Sequence, residues 1–189
     1  MQNTQYESLA RGQCLIAPPH IQDPRFKQTV ILLAQHNSQG SLGFVINRPT
    51  DYSLAQITDT DRFQNIADRT AHWGGPVNGN VVHVLHTRDW RTSRSLPINP
   101  EISFTSDAMM FDYIDNGQQP NRWRTVMGVA SWGPGQLEGE IKGEEPWYKC
   151  NSWLVLPYPH TEMLFDLDGE EMWNEAITFC SYQAFDNWF

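Results

Sequence analysis

Cysteine is scarce in this chain: Cys14, Cys150 and Cys180 are the only three among 189 residues. Their number is odd, their spacings are wide and no Cys-x-x-Cys pair occurs. That argues against a disulfide framework or a zinc site and fits a reducing compartment. Long apolar runs are lacking as well. The longest spans residues 30–34, far short of the roughly 20 residues that cross a bilayer as a helix. No basic stretch leads into an apolar one at the N-terminus. We expect a cytoplasmic protein with no membrane partner. Basic residues are outnumbered, 13 Lys and Arg against 22 Asp and Glu, for a formal net charge of −9. Such a chain lacks the overall positive field of a nonspecific nucleic-acid binder, although a local basic patch stays open. The short motifs GxSxG, HExxH, GxGxxG and the Walker A loop are also missing.

What remains is a chain built to fold. Apolar residues make up 40% and aromatic residues 12%, with eight Trp, so disorder is excluded and the large rings should anchor a core or line a groove. No repeat or Pro/Gly/Ser linker divides the sequence, which predicts one domain over residues 1–189. Residues 1–11 read as a loose end or a short helix. Strands are expected at 12–17, 29–36, 42–47, 71–73, 81–87, 102–105, 122–130, 153–157 and 163–165. Residues 29–36 are apolar nearly throughout, as in a strand covered on both faces. Asn37-Ser38-Gln39-Gly40 is a turn of hairpin length, so 29–36 and 42–47 should pair. Helices are expected at 53–57 with Ser53 as cap, from Ser106 to about residue 116 with Met110, Tyr113 and Ile114 on one stripe, and after Gly133-Pro134-Gly135 to about residue 141. Residues 58–69 carry no clear signal. A last helix begins at Asp168, with Asp168 as cap and Trp173, Ala176, Ile177 and Cys180 on its buried face. Strands outnumber helices and often follow one another directly. That favours an α+β fold with a mainly antiparallel sheet curled toward a barrel and flanked by helices.

Three polar corners are the candidate site. The strand 42–47 runs into Asn47-Arg48-Pro49, and the later pieces are Trp73-Gly74-Gly75-Pro76-Val77 and Ser131-Trp132-Gly133-Pro134-Gly135-Gln136-Leu137-Glu138. We expect a ligand groove made by Asn47, Arg48, Pro49, Gly74, Gly75, Pro76, Trp132, Gln136 and Glu138. Asn47 and Gln136 would orient the ligand, Arg48 would take an anionic group and Trp132 would form a wall. The competing structural role gives Asn47 to loop backbone groups and Arg48 to a buried carboxylate or a helix end. Free N–H groups at Gly133-Pro134-Gly135 can hold an anion, or the segment is an ordinary strand-to-helix turn. Glu138 and Glu140 lie two apart on a helix and do not face each other, so both are expected on a solvated face. Arg88, Arg91 and Arg94 around Trp90, with Arg122 and Arg124 on one face of a strand, are candidate contacts for phosphate or nucleic acid, or else surface charge that balances the acids.

Nothing in the pattern calls for a metal or an organic cofactor. His83 and His86 lie three apart on a strand and point to opposite faces. Asp166-Leu167-Asp168-Gly169-Glu170 has its glycine too early for a calcium loop, and helix capping explains it better. The first expectation is therefore a non-catalytic binding or regulatory protein whose partner is an unknown small molecule or protein. The alternatives are a hydrolase or transferase acting on a small anionic substrate, with Glu138 as base and Arg48 or helix N–H groups on the anion, and a nucleic-acid-binding regulator that uses the arginine cluster.

The order of these blocks resembles the YqgE/AlgH family of small bacterial proteins of unknown function. The resemblance runs through Leu15-Ile16-Ala17-Pro18-Pro19, Asp23-Pro24-Arg25-Phe26, His36-Asn37 to Gly40, and Leu42-Gly43-Phe44-Val45-Ile46-Asn47-Arg48-Pro49. It continues through Gly74-Gly75-Pro76-Val77, Val84-Leu85-His86, Trp132, Gly135-Gln136-Leu137-Glu138, Glu140-Ile141 and Asn151-Ser152-Trp153-Leu154. It implies an α+β pseudo-barrel of bifurcated sheet with flanking helices, and no established enzymatic activity. Members are sometimes labelled transcriptional regulators, but no helix-turn-helix pattern is found in this chain. Two departures stand out. Val81-Val82-His83 replaces the family's Arg-Gly-aromatic run, and residues 143–150 look like an insertion before the Asn-x-Trp-Leu piece.

Overall fold

The computed structural model describes residues 9–58, 63–146, 153–157 and 159–186. The elements follow in the order β1 (Cys14–Ile16), β2 (Val30–Asn37), β3 (Gly40–Val45), β4 (Pro49–Ser53), α1 (Leu54–Thr58), β5 (Thr70–Trp73), β6 (Val77–Thr87), β7 (Leu96–Pro97) and β8 (Ile102–Thr105). They continue with α2 (Met109–Asp115), β9 (Trp123–Trp132), α3 (Gln136–Lys142), β10 (Leu154–Leu156), α4 (Thr161–Asp166) and α5 (Gly169–Asp186). Residues 147–150 of the expected insertion, Cys150 among them, and Asn151-Ser152 lie outside the described residues, as do residues 59–62 and residues 1–8.

The strands make one strongly curled, mainly antiparallel sheet in the order β10-β1-β2-β3-β9-β6-β8-β7. This is the expected half-barrel with helices around it. The β2–β3 hairpin forms as expected, Ile31 opposite Val45 and Asn37 opposite Gly40. Its turn is closed by Asn37 Oδ1, which accepts from the Gln39 N–H at 2.8 Å. The bifurcation sits at β9. One edge pairs along most of its length with β6. The other pairs with β3 at residues 130–132 and then, parallel, with β5 at Val126 and Met127. Gly74 and Gly75, just past β5, permit this. A Cβ at Gly74 would stand 2.3 Å from the Gly128 carbonyl oxygen, and one at Gly75 would stand 2.1 Å from the Val129 carbonyl carbon. Gly75 also has φ +149°, a conformation that L side chains rarely adopt.

Alternation along β1 and β2 sorts their side chains into two cores. Cys14, Ile16, Val30 and Leu32 join Phe44, Ile46 and the inner face of α5. Leu15, Ala17, Ile31 and Leu33 join Val45, Trp132, Leu137 and Trp153. Each buried Leu or Ile contributes roughly 1.5–3 kcal/mol, so a strand covered on both faces is held far more firmly than one covered on a single face. α5 seals the first core with Met172, Trp173, Ala176 and Cys180, and the Trp173 indole donates to the Ala17 carbonyl at 2.7 Å. Cys14 and Cys180 are free thiols. Burial raises the Cys14 pKa, with a smaller contribution from Cys180, and burial pushes the Cys180 thiol up to about 11. Both stay protonated and inert. No helix of the described residues is long and apolar enough to cross a membrane.

Several expected elements differ. Residues 163–165 lie in α4, not in a strand; three apolar residues are too few to separate a period of 2 from one of 3.6. α2 starts at Met109 after an Ala108 cap with no side-chain bond, so Ser106 does not cap it. Its buried face is Met110, Phe111 and Ile114, while Tyr113 is exposed. Two elements have no counterpart among the expected strands and helices, the exposed strand β4 and the two-residue edge strand β7.

Candidate functional site

The first corner is a clasp. Asn47 is buried. Its Oδ1 accepts from the Val30 N–H at 2.9 Å, and its Nδ2 donates to the Gln28 and Gly169 carbonyls at 2.9 and 2.8 Å. It therefore ties the start of β2 and the start of α5 to the exit of β3. Arg48 donates to the Lys27 carbonyl at 2.8 Å, and its guanidinium lies 5.5 Å from the centroid of the Trp73 ring. Burial lowers its pKa and Asp23 partly offsets this, yet a guanidinium stays charged. Asn47, Arg48, Pro49, Pro24, Arg25 and Trp73 line a shallow depression of about 560 Å³.

The second corner supplies Gly74 and Gly75 as backbone packing against β9 and Pro76 as a lining residue. The third forms a deeper cleft of about 650 Å³ lined by Pro76, Trp132 and Gln136, together with Asp23, Arg25, Phe26, Glu140 and Trp153. Glu140 is the centre of it and is buried, only 6% exposed. Its Oε2 accepts from the Trp132 and Trp153 indole N–H groups at 3.1 and 2.9 Å. Its Oε1 accepts from Gln136 Nε2 at 2.9 Å, while Gln136 Oε1 takes the Gly133 N–H at 3.0 Å. That last bond occupies a donor at the expected anion-binding turn. Glu138 lines neither depression. It lies 3.8 Å from His36 Nε2, and His36 Nδ1 is 2.8 Å from the hydroxyl of buried Ser41.

Arg48 and Gln136 thus face two neighbouring depressions that share Arg25, rather than one groove. A file of rings separates and joins them. Trp73 and Phe26 are 6.5 Å apart between centroids, Phe26 and Trp153 5.7 Å, and Trp153 and Trp132 6.2 Å. The expectation of two solvated glutamates holds for half-exposed Glu138 and fails for Glu140. The available sign was its place four residues after Gln136, one helical turn on, beside a chain rich in Trp. In the sequence Asp23 and Arg25 stood out only within the block Asp23-Pro24-Arg25-Phe26 that carries the resemblance. They form a forked pair, with Arg25 Nη2 2.7 Å and Nε 3.1 Å from Asp23, and the bonds to Arg25 hold the Asp23 carboxyl below its usual range.

The arginines do not form one surface. Arg88 donates to the Asn99 carbonyl at 3.0 Å, and Arg122 pairs with Asp166 at 3.0 Å. Arg124 is buried, giving bonds to the Ile46, Phe165 and Leu167 carbonyls and lying 3.2 Å from Asp168. Burial lowers its pKa, against the raising effect of Asp168. Arg91 and Arg94 are exposed and line a separate depression beside Trp90 and Tyr113. Asp168 also holds His72 Nε2 at 2.7 Å. At the start of α5 its carboxylate accepts from the Gly169 N–H at 2.9 Å and its backbone carbonyl accepts from the Met172 N–H, so Asp168 stands at the helix start as expected while its carboxylate also serves β5 and β9. Of the two strand histidines, His86 is fully buried on Ser95 and the Thr87 carbonyl, and His83 packs between Phe44 and Phe104. No group of three His, Cys, Asp or Glu among the described residues is placed to hold a metal ion.

The curled, bifurcated sheet and these corner residues place the chain in a defined class. Residues 14–184 match a family model described as AlgH-like, and the chain belongs to that family. It is 36% identical over 168 residues to UPF0301 protein PM1869 of Pasteurella multocida, covering 86% of each chain. It is 32% identical over 175 residues to UPF0301 protein CT0663 of Chlorobaculum tepidum, covering 92% of this chain and 88% of that one. Among solved structures it is similar to the AlgH protein of Pseudomonas aeruginosa, with a TM-score of 0.75 and 31% identity over 94% of this chain and 92% of that one. The fold is shared with protein DIP2367 of Corynebacterium diphtheriae, with a TM-score of 0.70 and 19% identity over 91% and 87% of the two chains.

Proposed function

We propose that the protein is a non-catalytic binding protein whose small-molecule ligand occupies the cleft above Glu140. The observation that carries this is the cleft itself, about 650 Å³ and lined by a buried carboxylate and aromatic rings. A volume of that size with few, fixed polar groups is the usual form of a small-molecule site. In this reading Pro76, Trp132 and Gln136, which line the cleft, are ligand contacts. Asn47, Gly74 and Gly75 act instead as the frame that aligns β3, β5 and β9 behind the cleft. The catalytic alternative, with Glu138 as base, has less support: Glu138 and its neighbour His36 stand away from the cleft, and Ser41 beside them is buried. The nucleic-acid alternative is weakened by the internal engagement of Arg88, Arg122 and Arg124.

Heteronuclear NMR tests the proposal directly. A ligand recovered from freshly purified protein, or hits from a fragment library, should shift the Trp132 and Trp153 indole N–H signals more than those of Trp90 or Trp173. A library that never moves the Trp132 and Trp153 signals would overturn it.

A further inference from the structure

We infer that the cleft is built for a positively charged ligand, a small organic ammonium ion; this rests on the proposed binding role of the same cleft. The starting point is the charge on Glu140. A carboxylate removed from water needs either a counter-ion or a full set of donors. Among the described residues no Lys, Arg or His lies within salt-bridge distance of it. Its three partners, two indole N–H groups and one amide, are all neutral. A carboxylate has about four acceptor sites, so one remains on Oε1, the oxygen that only Gln136 reaches.

The walls have the matching sign. Trp132 stands at 85° to Trp153, and Phe26 at 84° to the same ring. Both indoles turn their positive N–H edges toward Glu140. Rings set at such steep angles offer faces in several directions, and ring faces attract cations. One cation already uses this surface, since the Arg25 guanidinium lies 5.6 Å from the centroid of the Phe26 ring. That guanidinium is neutralised by its forked bonds to Asp23. With His20, which also lines the cleft, counted as neutral, Asp23, Arg25 and Glu140 sum to one net negative charge, the buried one. An anion would have to enter against that charge, whereas an ammonium completes it.

The experiment is a titration of the full chain with choline and n-butylammonium, with 3,3-dimethylbutan-1-ol as the neutral isostere of choline and inorganic phosphate as the anion, read on the Trp132 and Trp153 indole signals. The ammonium ions should bind at least about tenfold more tightly than the alcohol, and phosphate should leave both signals in place. Glu140→Gln keeps the shape and removes the charge, and should abolish the preference for the ammonium over the alcohol. The comparison of ammonium with alcohol on the parent chain keeps the assignment falsifiable even if Glu140→Gln folds poorly. Equal binding of the alcohol, a preference for phosphate, or an unchanged preference for the ammonium in folded Glu140→Gln would overturn the cation assignment and leave the binding role standing. Silence of both indole signals toward every probe overturns the cation assignment, and the role falls with it only if the fragment library is silent too.

Discussion

At the scale of residues, the decisive groups are polar side chains taken out of water. Asn47 is the clearest. An amide is suited to accepting from one strand while donating to two carbonyls. Asn47→Ala should leave the Val30 N–H and the Gln28 and Gly169 carbonyls without their partner, and should lower stability by about 3 kcal/mol. Urea denaturation measures this, and an unchanged midpoint would show that solvent replaces the clasp without loss. The sequence marked Asn47 as either a ligand group or a structural one and did not decide between them. The reason is distance along the chain: its partners lie 17, 19 and 122 residues away, and no local pattern reports such contacts. Glu140 was missed for the same reason. Its nearest indole partner is eight positions back and the other thirteen ahead, while its helical spacing from Glu138 indicated only that the two point apart. Pro76, Trp132 and Gln136 were legible as residues of two corners because corner chemistry is local, and the fold brings them to the lining of one cleft.

At the scale of elements, β9 is the piece that the others fit around. Its approach to Gly74 and Gly75 leaves no room for a side chain, which gives a paired expectation. Gly75→Ala combines a clash with backbone and a φ suited to glycine, and should cost about 3 kcal/mol or more. Gly79, in β6, has open space where its Cβ would stand, and Gly79→Ala should fall within about 1 kcal/mol of the parent in either direction. Thermal melts of the two variants side by side would settle it; equal losses would mean that close packing is not what selects Gly75. The β2–β3 hairpin was readable because a short turn and two apolar runs define it. The parallel β5–β9 pair was not, because its four-residue strand meets a partner more than fifty residues later. α4 was misread because a six-residue helix with one apolar cluster carries too little periodicity.

At the scale of the whole molecule, the acidic balance and the burial of a few charges set the response to pH. Asp168 joins α5 to β5 through His72 and to β9 through Arg124. Burial works against its ionisation, but the His72 hydrogen bond and the Arg124 and His72 charges prevail and hold its pKa below the usual value. The sign follows. A carboxyl depressed in the folded state adds stability that is fully present above the unfolded value of about 3.9 and is lost as the pH falls through the lower folded value. Urea midpoints should therefore drop more steeply below about pH 4 in the parent than in Asp168→Asn, and parallel curves would exclude this linkage. Asp168 is partly exposed, so solvent screening keeps its share modest.

The three-way pairing of β9 also has a consequence for how the chain comes into being. Synthesis delivers β3, β5 and β6 well before β9, whose first residue is Trp123. Until it arrives, the strand edges that it will cover have no partner, and open edges are templates for pairing with other chains. Closing such distant pairs is slow compared with forming a local hairpin. The nascent protein therefore passes through a window in which its most dangerous surfaces are exposed, and the emergence of a single ten-residue strand ends that window on both edges at once.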